Sequence, residues 1–434
     1  MHRQAKRWSA GLLGLTAALL VSALPGRAWV AAASTPTLTV DVANVLRPVT
    51  HVAAGGLYAL GSDTTPADHM VTPLHPKVFT QMAPGGRQLP NGATTPGGDA
   101  LVVAAKAARA GAKVTIRMPD FYPEFPYGWI SWSDWLHVVN DQVTALLAAT
   151  GTRNIEAWEL WNEPDWTWIP GAAGSFDAGW ARTYKAVRAR DAKTPILGPS
   201  ISRYDPEVLR QFLIDAKASH TLPDIICWHE LQGEDSIADD VKAYRALEAS
   251  LGIAPRPIAI DEYGKPDEMG VPGALVGYIA KFERAGVDSA GLAFWHDYGT
   301  FNDLVVDNTK PNGGWWMYKW YGDMSGQMVS TTPPNQIGLD GAASVNASHT
   351  LVSVIFGGGM GTNDVRVSGL NALPRLATRV MVKLEYVPSR GRTVAVAKPI
   401  TVSTARYTVR GGSITIPVTG MDGTYGYHLL ISPA

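Results

Sequence analysis

The sequence predicts an α/β fold, a (β/α)8 TIM barrel followed by a C-terminal β-sandwich. Three observations predict it. From about Val52 to Tyr321, eight short apolar strand-like runs alternate with helix-like stretches. After about Gly326 the helical periodicity stops, and β-branched runs separated by Gly, Asn and Pro take over. No Gly-x-Gly-x-x-Gly follows the first run, which disfavours an open sheet built to hold a dinucleotide.

In chain order, residues 1–33 read as a cleaved signal peptide. His2, Arg3, Lys6 and Arg7 precede an apolar run from Ser9 to Leu24, and Ala31-Ala32-Ala33 offers a cleavage site before Ser34. The run is short and poorly flanked for a membrane span. Secretion, or export to a periplasm, is therefore expected. Residues 34–47 hold a strand, Thr37–Val42, expected to join the sandwich sheet. Residues 48–325 form the barrel and residues 326–434 the sandwich.

The barrel strand candidates are Val52–Leu60, Val78–Ala83, Val114–Met118, Ala157–Trp161, Pro195–Pro199, Ile225–His229, Ile258–Glu262 and Ser289–His296. Between them lie the helix candidates Gly98–Ala110, Trp132–Ala149, Gly179–Arg190, Pro206–Ala218, Asp235–Leu251 and Pro272–Ala285, and Trp315–Tyr321 closes the series. Val138, Val143, Leu146 and Leu147 show helical spacing. Ser131 or Ser133 is placed to cap one helix, and Asp205-Pro206 opens another. The sandwich candidates run from Thr350–Phe356 to Gly426–Ile431.

Composition narrows the function classes. Loss of residues 1–33 removes four of 37 Lys and Arg, leaving 33 against 38 acids and a charge near −5. That balance argues against a nucleic-acid partner. Cys227 is the sole cysteine, so no intramolecular disulfide forms despite export. Trp (15) outnumbers Phe (9), which suits platforms for sugar rings. His2, His51, His69 and His75 lack metal-ligand spacing, and no Gly-x-Ser-x-Gly elbow is present. No metal and no cofactor are expected.

The chemistry concentrates at two strand ends. Ala157-Trp158-Glu159-Leu160-Trp161-Asn162-Glu163-Pro164 places Glu163 at the end of the fourth strand. Ninety-nine residues later, Ile258-Ala259-Ile260-Asp261-Glu262-Tyr263 places Glu262 at the end of the seventh. In such a barrel these ends face one mouth. Two carboxyls ~5 Å apart across it suit retaining glycoside hydrolysis. Glu262 is then the nucleophile and Glu163 the acid/base, kept protonated by repulsion from Glu262. Asn162, His229, Tyr263, Trp295, Arg117, Tyr58 and Trp166 are the candidate substrate-binding residues. Glu230 and Asp261 are expected to point away by strand alternation. A non-catalytic carbohydrate-binding barrel and a transglycosylase are the alternatives. The partner in every case is an oligo- or polysaccharide.

Trp161-Asn162-Glu163-Pro164 and Ile260-Asp261-Glu262-Tyr263 resemble the acid/base and nucleophile motifs of clan A glycoside hydrolases. Within the clan the chain most resembles family 39, as does Asp224-Ile225-Ile226-Cys227-Trp228-His229 with its sixth-strand histidine. The resemblance implies a barrel paired with a β-sandwich and a β-xylosidase, α-L-iduronidase or arabinose-releasing activity. The seventh-strand motif departs from that family, in which Thr-Glu is usual and here Asp261 precedes Glu262. The aromatic segment Phe121–Trp135 is expected to wall the cleft with Trp161, Trp166 and Trp168.

Overall fold

A computed structural model of the chain describes residues 35–89, 96–151, 153–293, 295–301 and 303–434. The expected signal segment lies outside these residues, as does Phe294. Eight parallel strands close a barrel: β2 (Gly56–Leu57), β3 (Val78–Met82), β4 (Lys113–Arg117), β5 (Ile155–Glu159), β6 (Ile196–Ile201), β7 (Ile225–Trp228), β8 (Ile258–Tyr263) and β9 (Ser289–Leu292). The first strand is far shorter than Val52–Leu60, since Ala54 and Tyr58 pair only at the strand's margins. Gly55 explains the tight closure there, because a Cβ on it would lie 2.4 Å from Val78 O.

Helices wrap the outside. Ser131 caps the helix Trp132–Ala148 by accepting from Asp134 N at 3.1 Å. Asp205 accepts from Glu207 N and Val208 N at the start of Pro206–Ala218. Both caps satisfy amides that have no partner inside the first turn. Among the described residues no helix is long and apolar enough to cross a membrane.

A small hairpin, β10 (Val305–Val306) and β11 (Lys310–Pro311), precedes the second module. That module is one nine-stranded sheet that includes β1 (Thr37–Pro48), from ahead of the barrel. The other strands are β12 (Gln327–Thr332), β13 (Asp340–Val345), β14 (Val352–Gly357), β15 (Gly361–Ser368), β16 (Arg379–Val387), β17 (Ile400–Thr408), β18 (Ile414–Met421) and β19 (Gly426–Pro433). β1 sits between β12, antiparallel, and β15, parallel, and bulges interrupt its register between Asp41 and Arg47. The sheet folds over on one apolar core, in which Val365 and Ile416 of one half meet Val354, Val382 and Leu429 of the other. The helix Pro272–Ala285 packs against this sheet. Arg284 and Lys281 both reach Asp340 Oδ2, at 2.6 and 3.3 Å. Gly273 permits the close approach, since a Cβ there would lie 2.2 Å from Gly423 O.

Near this junction His51 stacks on His75, ring centroids 5.3 Å apart, with Nε2 3.2 Å from Met324 O. Burial and then His75 push the His51 pKa down to about 4. The unfolded chain therefore binds the extra proton first. Stability should be complete above pH ~6.5 and fall by roughly 3 kcal/mol as pH drops through that interval to ~4. Urea unfolding at pH 7 and pH 5 should show a smaller acid loss in His51→Gln than in the wild type. Equal losses would remove His51 as the cause.

Candidate active site

The C-terminal strand ends surround a cavity of about 470 Å3. It is lined by both glutamates, by Tyr58, Arg117, Asn162, Trp166 and Trp295, and also by Gln88, Phe125 and Tyr298. One oxygen of Glu163, one of Glu262 and one ring nitrogen of His229 lie within 4.8 Å of one another.

Glu163 is positioned by an unusual backbone. Its φ of 50° is left-handed, its N–H donates to Ser200 O at 2.8 Å, and Pro164 opens a short helical turn behind it. That conformation costs a residue with a Cβ roughly 1–2 kcal/mol and is held by the surrounding bonds. The side chain is fixed at both oxygens. His229 Nδ1 lies 3.2 Å from Oε1, and Trp166 Nε1 donates to Oε2 at 2.8 Å.

Glu262 is held by Arg117, the last residue of β4. The guanidinium reaches three carboxylates: Glu159 Oε2 at 2.8 Å, Glu262 Oε1 at 2.5 Å and Asp261 Oδ2 at 3.0 Å. It also donates to Tyr58 Oη at 3.3 Å. Only Arg offers such a fork of donors. Tyr58 in turn donates to Asp120 Oδ2 at 2.6 Å, and Tyr127 donates to Asp120 Oδ1 at 3.2 Å. Asn162 Oδ1 is buried beside the cavity with no protein partner among the described residues.

Two expected binding residues stand behind the cavity. Tyr263 is fully buried, donates to Ala53 O at 2.7 Å and packs on Tyr278 and Phe282. Strand alternation after Glu262 turns it outward to the helices, which corrects its assignment as a substrate contact. His229 is likewise fully buried and sits among carboxylates instead of lining the cavity. Asp261 corrects the expectation in the opposite sense. A register shift between Ile260 and Tyr263 lets Asp261 join Glu262 in the polar cluster. Glu230 does point elsewhere, accepting from Trp228 Nε1 at 2.7 Å, and its burial pushes its pKa up to about 8.

Sequence reading missed Glu159, left Asp120 open between substrate contact and none, and gave Tyr127 only as part of the aromatic wall. Glu159 left a usable signal, a carboxylate inside an apolar strand run, since such a group needs a buried cation. Asp120 and Tyr127 sit in irregular segments whose direction no periodicity reveals.

The charges explain one another. Burial pushes Glu159 well above the usual carboxylate range despite Arg117. Burial raises Asp120 to about 7 against the pull of Arg117 and the two tyrosines. Burial alone would lower His229, but Glu262, Asp261 and Glu163 outweigh it and hold the ring well above its ordinary value. Burial alone would raise Glu163, yet His229, Arg117 and Trp166 hold it below the ordinary range. Burial raises Glu262 against His229 and Arg117. Glu163 therefore shifts opposite to the rise expected from repulsion by Glu262, with His229 the largest cause that lowers it. Glu159, His229 and Asp261 approach within 4.8 Å, as cation ligands do. The Arg117 guanidinium reaches Glu159, Asp261 and Glu262 and supplies positive charge to all three.

No family model matches the chain. The chain is 26% identical over 470 residues to a 3-O-β-L-arabinopyranosyl-α-L-arabinofuranosidase of Bifidobacterium pseudocatenulatum, covering 92% of itself and 47% of that protein. It is 25% identical over 506 residues to a 3-O-α-D-galactosyl-α-L-arabinofuranosidase of Bifidobacterium longum subsp. longum, covering 98% of itself and 43% of that protein. The chain thus spans about half the length of the curated relatives it matches. Among solved structures, N2152 from Neocallimastix frontalis is 36% identical, with a TM-score of 0.87 over 92% of this chain and 100% of that one. A GH39 β-xylosidase from Caulobacter crescentus shares the fold, with a TM-score of 0.62 at 14% identity over 92% of this chain and 100% of that one. The barrel with its sandwich therefore has the fold of a GH39 β-xylosidase, and the chain is similar in sequence to N2152 and to two arabinofuranosidases.

Proposed function

We propose that this protein is a secreted retaining glycosidase that releases an arabinose-containing unit from the side chains of plant or microbial glycans by double displacement. The carrying observation is that Glu163 and Glu262 both line the cavity with an oxygen of each within 4.8 Å of the other. Retention places the two carboxyls ~5–5.5 Å apart, whereas inversion leaves room for a water between them. Glu262 attacks the anomeric carbon while Glu163 protonates the departing oxygen. Glu163 then takes a proton from the water that breaks the glycosyl ester. Asn162 Oδ1, without a partner among the described residues, is placed to accept from a sugar hydroxyl.

Three lines support the substrate class. Both curated relatives are named as arabinofuranosidases acting on a 3-O-glycosylated arabinose. The cavity volume falls in the ~300–1,000 Å3 range of small-ligand pockets. Trp166, Phe125, Trp295 and Tyr298 supply flat apolar walls. The basic, apolar and small-residue pattern of residues 1–33 supports export.

Incubation with arabinogalactan and with aryl α-L-arabinofuranosides, β-D-xylosides and β-D-glucosides tests this reading. Mass spectrometry should find an arabinose-containing product, and proton NMR should find the retained anomer first. An inverted first product would rule out double displacement. Turnover of the xyloside or glucoside alone would rule out the arabinosyl assignment.

A further inference from the structure

His229 has carboxylates at both ring nitrogens. Nδ1 lies 3.2 Å from Glu163 Oε1, while Nε2 lies 3.3 Å from Asp261 Oδ1 and 3.8 Å from Glu262 Oε1, at ion-pair distance but not aligned for a hydrogen bond to either. The ring is fully buried. Among the described residues the charged and titratable groups around it are Arg117 on β4, Glu159 on β5, Cys227 on β7, and Asp261 and Glu262 on β8, with Glu163 on the loop after β5 and Glu230 next to the ring in the chain. Asp261 is itself pinned, accepting from Arg117 Nη2 at 3.0 Å and from Cys227 Sγ at 2.7 Å.

This geometry restricts the protons. Nε2 faces carboxylate oxygens, which only accept, so a bare lone pair there would be repelled. The Nε2 position therefore carries a proton. The Nδ1···Oε1 contact then needs a second proton. It sits either on Nδ1, as imidazolium beside carboxylate, or on Oε1, as imidazole beside carboxylic acid. These are the two ends of a single proton transfer.

We propose that Asp261 is a positioning residue that fixes His229 with Nε2–H, so that the His229–Glu163 hydrogen bond stores the proton delivered to the leaving group. The inference rests on Glu163 being the acid/base. Nδ1 passes its proton to Glu163, and rotation about the broad terminal torsion of glutamate turns the protonated oxygen to the cavity. That proton goes to the leaving oxygen as its bond to the anomeric carbon breaks and the Glu262 ester bond forms. Glu163 is left as carboxylate and His229 as the Nε2–H imidazole. Water then adds to the anomeric carbon, Glu262 departs as carboxylate, and the water's proton returns through Glu163 to Nδ1.

The test is Asp261→Asn, assayed with a sugar leaving group and with a dinitrophenyl leaving group that needs no proton. The alkaline limb of kcat/KM for the sugar substrate should move down by about one pH unit, and its rate at pH 7 should fall at least ~10-fold more than the dinitrophenyl rate. Equal losses on both substrates, or an unmoved limb, overturn the proposal. Glu163→Gln run in parallel separates the two readings. Leaving-group dependence in Glu163→Gln but not in Asp261→Asn overturns this inference alone, and none in Glu163→Gln overturns the acid/base assignment. If Asp261→Asn does not fold, nitrogen NMR of histidine-labelled wild type decides, with the His229 signals identified by their loss in His229→Gln. Nε2 should remain protonated from pH 5 to pH 9, and an unprotonated Nε2 in that range overturns the proposal.

Discussion

Glu262→Ala should abolish turnover of whichever aryl glycoside the wild type hydrolyses, with a rate loss on the order of 10^4-fold or more. The side chain lines the cavity, and its Oε1 is held by Arg117 at 2.5 Å. No other carboxylate from β8 replaces it there, because Asp261 is occupied by Arg117, Cys227 and His229. Added azide should enter the space left by the side chain and restore part of the rate, giving a glycosyl azide of inverted configuration. Glu163→Ala should instead give the retained azide, since there the ester still forms. Activity within tenfold of wild type in Glu262→Ala would end the nucleophile assignment, whatever the fold resembles.

Arg117→Met should lower stability by about 3–5 kcal/mol, the cost of leaving buried charge without its partner. Arg117 is 1% exposed and reaches Glu159, Asp261 and Glu262 at once. Arg117→Lys should recover only part of the loss, since an ammonium cannot direct separate donors at three carboxylates. The deficit should shrink in acid. For Asp261, burial alone would raise the pKa, but His229 and Arg117 outweigh it and hold the group below its ordinary value. Such a group stabilises the fold above its unfolded pKa, and the contribution is lost as pH falls toward the folded value. Urea unfolding of wild type and Arg117→Met at pH 7 and at about pH 2.5, below the ordinary Asp value, measures this. A gap that widens in acid would contradict the charge argument.

The two glutamates were legible because each ends an apolar run, and such runs mark barrel strands whose ends share one mouth. Arg117 was legible for the same reason. The errors have local physical causes. Asp261 was assigned from a period of two, which the register shift in β8 breaks, whereas Tyr263 was assigned for lying beside Glu262, against the period that in fact turns it outward. His229 was read as a ligand-facing group, but a ring among several carboxylates is itself a charged partner. The pKa order of the glutamates was not legible, because it depends on His229, which is distant in sequence and close only after folding. The first barrel strand was overextended because residues 52 to 60 are almost all buried, and burial alone does not distinguish a strand from packed loop.

The placement of β1 between β12 and β15 ties both ends of the described chain into one sheet. The accessory module is therefore not a detachable cassette. Truncation near Gly326 would strip β1 of both neighbours, and starting a clone at the barrel would remove a central strand of the sheet. Chimeras that exchange this module between relatives must carry two separate pieces of sequence. Heat or urea should melt the two modules together, as one cooperative event.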